Sequence, residues 1–194
     1  VATSKDKAAE PQKKYELLQD DTVEHLGRTL YRIRALVSFG AVVAGALGGY
    51  IESEKCLSHS GKAWVYGNAL VFGNALVYGD AQVSGDARVY GNAWVSGDAQ
   101  VYGDARVSGN AEVSGNALVC GDASIIWISK VGSENGTLTV THGKTGLVVT
   151  RGCFTGSDVE FLGAVDKRHG MDSKIGREYA LLIELARLRL AKEG

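Results

Sequence analysis

Apolar and polar positions alternate through the middle of the chain, with a break every six residues. From Gly61 to Ala123 each unit reads Gly, a polar residue, Ala, a free choice, Val, and a second free choice. Ala and Val are two apart within a unit, which is strand periodicity; no helical period fits the spacing. Ala and Val therefore share one side of a very short strand, and the two variable residues lie on the other. The Gly supplies backbone angles closed to other residues, and the Asn or Asp after it bonds the local backbone in a bend. Each unit is then strand, corner, strand, corner.

Strands this short bury nothing alone, so the units must stack. Three units per turn give a triangular prism with Val inside, Ala near the corners, and successive turns paired in parallel about 4.8 Å apart. The eleven glycines from Gly61 to Gly121 make fewer than four turns. Residues eighteen apart then share a column. The first face carries Trp64, Gln82, Gln100 and Leu118. The second carries Leu70, Arg88, Arg106 and Ser124, beside Phe72, Tyr90, Ser108 and Ile126. The third carries Leu76, Trp94 and Glu112, beside Tyr78, Ser96 and Ser114. The first turn is aromatic or aliphatic outward on all three faces and requires a cover.

The flanks read differently. Residues 1–14 are polar and lack an apolar run, which predicts a disordered arm. Residues 15–60 read as a β-hairpin and cap: "KYELL" and "RTLYRIRALVSF" are strands, with turn chemistry at Asp20, Asp21 and Gly27. The uncharged stretch Ala35–Ile51 follows Arg32 and Arg34, so a membrane-contacting segment competes with a buried cap. It is short and Gly-broken for a spanning helix. In residues 127–194, "SIIWISKV" (which starts at Ser124), "GTLTVTHG" and "TGLVVTRGCF" read as strands, with a hairpin signal at Asn135-Gly136. Ser157 and Glu160 form a capping box for a helix from about Asp158 to Lys167, which Gly170 ends. A second helix spans about Ser173 to Lys192. Its stripe of Ile175, Tyr179, Leu182 and Ala186 is widened by Leu181, Leu185 and Leu188.

Over residues 61–126 the chain resembles the hexapeptide-repeat left-handed β-helix, and that resemblance supplies the hand. "FGAVVAGALGGYIESEKCLSHSGKAWVYGNA" is similar to the N-terminal cap of the YdcK-like β-solenoid family and of small phage-encoded hexapeptide proteins. The shared phrases are Ala44, Gly45, Gly48, Gly49 and Tyr50, then Leu57 and Ser58, then Trp64. Ala41, Val43 and Ala46 stand where such relatives carry polar residues. The expected fold is mainly β: a single-stranded left-handed parallel β-helix with an N-terminal β cap and a C-terminal α+β unit.

A net charge of -1 gives no electrostatic case for nucleic acid. Three Cys without framework spacing fit free thiols in a reducing compartment. Hexapeptide acyltransferases place a His base beside the coils and extrude loops from the prism, and metal hydratases converge several His. Here His25, His59, His142 and His169 all lie outside the repeats, which carry no inserted loop. His59 is the best single candidate for a base. Cys153, His142 and His169 match no zinc spacing, and "AGALGG" lacks the spacing and Lys of a phosphate loop.

The reading is a non-enzymatic, phage-type β-solenoid binding protein of the bacterial cytoplasm, needing no cofactor or metal. It would present a prism face or subunit boundary to a host protein or a small anionic, nucleotide-like ligand. Phe72, Arg88, Tyr90, Trp94 and Arg106 are the expected binding residues, since stacked guanidinium groups beside aromatic walls suit an anion. A homotrimer is favoured, and membrane contact is not. The competing readings are a trimeric acyltransferase-like enzyme and a self-assembling rod.

Overall fold

The computed structural model describes residues 13–121 and 124–191. Residues 1–12 of the expected arm lie outside the described residues; Lys13 is exposed and paired with Glu54 at 2.7 Å, and Lys14 is buried and belongs to the cap.

Two long strands, β1 (Tyr15–His25) and β2 (Arg28–Ala35), form an antiparallel hairpin, and β3 (Leu47–Ile51) pairs with β2. The turn expected at Asp20 and Asp21 is instead a register shift inside β1, between Leu18 and Thr22. The chain reverses at Leu26 and Gly27, both at positive φ, as a two-residue loop between right-twisted strands requires. The uncharged segment beyond β2 is a turn-rich cap: Phe39 and Val42 exchange backbone bonds and Val42 is buried, while Leu36, Val43 and Leu47 stay exposed. No described helix is long and apolar enough to cross a membrane.

The repeats follow as ten strands: β4 (Trp64–Val65), β5 (Leu70–Val71), β6 (Leu76–Val77), β7 (Gln82–Val83), β8 (Arg88–Val89), β9 (Trp94–Val95), β10 (Gln100–Tyr102), β11 (Arg106–Val107), β12 (Glu112–Val113) and β13 (Ala117–Cys120). Every third strand pairs in parallel, giving the faces β4-β7-β10-β13, β5-β8-β11 and β6-β9-β12. This is a stacked-coil β-solenoid of about 4 turns. The repeat Ala and Val side chains from Ala63 to Val119 are buried in one continuous core. At about 1.5–3 kcal/mol for each fully buried Val, that core is the main stabilising term. Asn74, Asn92 and Asn110 form a ladder along one corner, each amide donating to the next carbonyl at 3.0 and 3.1 Å.

Two of the three faces continue past the repeats as paired strands, and the third gains a parallel bridge from Leu57 to Val77. β3 pairs in parallel with β5, so the hairpin extends the second face. Tyr15 plugs the open end: its hydroxyl donates to the Leu57 carbonyl at 2.7 Å, and its ring meets the Trp64 edge. At the other end, β14 (Ile125–Val131), β15 (Gly136–Gly143), β16 (Gly146–Arg151) and β17 (Phe154–Ser157) form an antiparallel meander, joined to the first face where β15 pairs with β13. The column predicted above Arg106 therefore stops: Ile125 and Ile126 pair with β15, and Ser124 does not continue the stack. "TGLVVTRGCF" splits into β16 and β17 at Gly152, whose φ of 58° turns the chain. The helices α1 (Asp158–His169) and α2 (Lys174–Arg189) pack on this sheet through Phe161, Val165, Tyr179 and Ile183. The capping box at Ser157 and Glu160 forms, and Gly170 caps the C-terminus of α1. The apolar stripe of α2 is narrower than expected: Leu181, Leu185 and Leu188 are exposed, and the buried positions are Gly176, Tyr179, Ile183, Ala186 and Leu190.

Candidate functional site

The second face holds four of the five expected binding residues. Leu70, Arg88 and Arg106 stand in register on β5, β8 and β11. Beside them Phe72 and Tyr90 stack face to face, 5.1 Å between centroids and 3° from parallel. The hairpin β1–β2 lies over the first coil here, so the column begins covered and emerges along the prism. Phe72 is 4% exposed, packed with Leu30 and Leu70 and met edge-on by His25 at 5.3 Å. It is largely covered by the hairpin and supports Tyr90 from below, and its uncovered edge lines the depression beside Tyr90.

The open part of the face is formed by Tyr90, half-buried, with Arg88, half-buried, and Arg106, exposed. Burial and the nearby Arg88 charge both hold the His25 imidazole below its ordinary pKa. Tyr90 and Phe72 themselves border a broad depression of about 700 Å³, together with Arg28, Lys55, Asn74 and Asn92. Arg28 is paired there with Glu52 at 2.7 Å.

Trp94 is separate. It stands on the third face between Leu76 and Glu112, 48% exposed, and shares no column with the arginines. The structure thus divides the expected set into an arginine face and a tryptophan face.

His59 serves the cap. Its Nδ1 accepts the Lys14 backbone N–H at 3.2 Å, its ring stacks on Tyr15 at 4.3 Å, and its Nε2 faces Glu54 at 3.6 Å. Lys14 Nζ donates to the Ala63 carbonyl at 2.8 Å, and burial pulls its pKa down to about 8 against the opposing charge of Asp80. Cys153 and His169 line one cavity of about 280 Å³ with Phe154 and Phe161, while His142 pairs with Leu118 and Leu147 on β15. Among the described residues, no group of three or more His, Cys, Asp or Glu side chains is placed to hold a metal.

Sequence reasoning missed two features. It did not place His25 against Phe72, and it did not foresee the residues 150–155 that overhang the third face. One signal was available: Glu112 is the only acid among the outward residues of the repeats.

Residues 63–80, 81–97 and 99–112 each match the family model described as the YdcK Beta solenoid repeat. The match lies within the coils and does not extend to the cap or the helical end. No curated protein matches the chain.

Proposed function

We infer that this chain, a member of the YdcK-like β-solenoid family, is a non-enzymatic scaffold that holds an anionic group on its second face. The observation that carries the reading is the in-register pair Arg88 and Arg106, one strand spacing apart beside Tyr90. Two guanidinium groups on a rigid ladder match the forked geometry of a phosphate or carboxylate, and Tyr90 offers a wall for a flat ring attached to it. The solenoid supplies preorganisation: each Arg Cα is fixed by parallel pairing, so little backbone order is lost on binding. A small nucleotide-like anion and an acidic loop of a host protein carry the same recognition chemistry.

Calorimetric titration with pyrophosphate and with ADP tests the reading. Saturable binding that weakens with added salt is the expected result, lost in Arg88→Ala and Arg106→Ala. Binding by neither anion, or undiminished binding in the double variant, rejects the site.

A second reading has its own observation. Leu181, Leu185 and Leu188 leave an exposed leucine stripe on α2, which supports self-association, with a trimer as the proposed state. Solution mass measurement decides it: a single-chain mass at working concentration removes this reading and leaves the anion site untouched.

A further inference from the structure

The third face carries a notch of different chemistry. Leu76, Trp94 and Glu112 stack in register there, with Tyr78, Ser96 and Ser114 alongside. The C-terminal sheet reaches across this face. Ser114 Oγ lies 3.1 Å from Thr150 Oγ1 and 2.8 Å from Thr155 Oγ1, and the Glu112 backbone N–H donates to Thr139 Oγ1 at 3.0 Å. The overhang forms one side of an open notch of about 330 Å³ lined by Trp94, Tyr78, Ser96, Glu112, Thr150 and Thr155. That volume is within the range of small-molecule sites, roughly 300–1,000 Å³.

Two features of the notch are unexplained by packing. Trp94 presents an indole half open to solvent on a ladder of otherwise modest side chains. Glu112 is half-buried, yet its carboxylate makes no hydrogen bond or ion pair among the described residues. Burial raises its pKa, and the charge of Arg151 opposes that rise. Arg151 itself is turned away, donating to the Tyr179 hydroxyl at 3.1 Å and the Val131 carbonyl at 3.4 Å, so it offsets the carboxylate's charge without covering it.

The lining selects a ligand class. It contains two aromatic rings, four Ser or Thr residues, one carboxylate and no Lys, Arg or His. An anion would be repelled by the Glu112 carboxylate, which lines the cavity where Arg151 does not. A cation would meet the field of Arg151. A neutral ring bearing hydroxyls meets neither penalty: its C–H face lies on the electron-rich indole, and its hydroxyls donate to Glu112 and exchange bonds with Ser96 and the threonines. We propose that the Trp94 notch binds a neutral sugar ring, stacked on Trp94 and held by Glu112. This site is independent of the arginine face.

The test titrates the full chain with glucose, galactose, N-acetylglucosamine and their short oligosaccharides, read by calorimetry and by tryptophan emission. Trp64 is buried and Trp127 half-buried, so the Trp94→Ala variant supplies the background emission. At least one sugar should give saturable heat and a matching change in Trp94 emission. Trp94→Ala should abolish both while its melting temperature stays that of the parent. Glu112→Gln should weaken binding by about tenfold, the share of one charge-assisted hydrogen bond. Arg88→Ala with Arg106→Ala should leave sugar binding unchanged, which separates this site from the anion site. The proposal is overturned if no sugar saturates, if Trp94→Ala binds as tightly as the parent, or if tetramethylammonium saturates the emission change and sugars do not. It is also overturned if Trp94 emission follows protein concentration rather than sugar, because the ring is then covered by another copy.

Discussion

Gly67 and Gly97 occupy equivalent positions in their repeats, both at positive φ, yet their surroundings differ. A Cβ at Gly67 would meet nothing nearer than 3.8 Å, whereas one at Gly97 would come within 2.8 Å of the Gly115 nitrogen. Gly67→Ala should therefore lose only the left-handed backbone cost, about 1–2 kcal/mol. Gly97→Ala should lose distinctly more, since the next coil must move away. Urea unfolding of the two variants checks this; equal losses would mean that conformation alone, without crowding between coils, demands glycine. The spacing made all these glycines legible. It could not tell the crowded corners from the open ones, because that depends on small differences in how one coil lies on the next. The same limit applied to Phe72 and Tyr90. Both were legible as outward aromatics in one column, but only the hairpin above them decides that one is covered and the other reaches solvent.

Among the elements, the N-terminal cap carries a pH signature. Lys14 is buried with a folded pKa of about 8 against 10.5 for an ordinary Lys. Between those values the unfolded chain holds a proton on Lys14 that the folded chain lacks. This residue's penalty is therefore full below pH 8 and relieved as pH rises toward 10.5. Burial raises the pKa of Cys56 and of Tyr15, which acts in the opposite direction at the alkaline end. The difference between the parent and Lys14→Met isolates the lysine. The variant should be more stable near neutral pH, and its advantage should shrink as pH climbs through that window, as followed by denaturant melts at stepped pH. At the other end of the chain, α2 gives a contrast within one helix. Ile183→Ala should cost about 2–5 kcal/mol, because Ile183 is fully buried. Leu188→Gln should stay within about 0.5 kcal/mol, because Leu188 is 75% exposed. Thermal melts of both distinguish the packed face from the open one. Heptad-like spacing predicted a broad apolar stripe here; the sheet beneath accepts only its centre, since one helix face can meet a sheet along a single line of contact.

At the scale of the whole molecule, each inner coil is held by a coil on either side, and the ends are held by unlike segments. Nearest-neighbour coupling of this kind concentrates protection centrally. Amide exchange should therefore be slowest across β7 to β11, where every strand has a parallel partner on both sides or lies next to one that does. Faster exchange there than in β1 would show that the cap, and not the coil stack, is the stable unit. The sequence by itself determined the coil: the alternation of Ala and Val, the six-residue period and the glycine corners admit one way to bury the valines, and with it the sorting of outward residues into columns. Tertiary structure alone decided what those columns meet. The β1–β2 hairpin covers Phe72, the C-terminal meander ends the second column after Arg106, and residues 150–155 turn Trp94 and Glu112 from surface positions into the walls of a notch. The physical reason is range. Periodicity records contacts that recur every eighteen residues within the stack, whereas each cover is a single long-range contact that leaves no repeating trace along the chain.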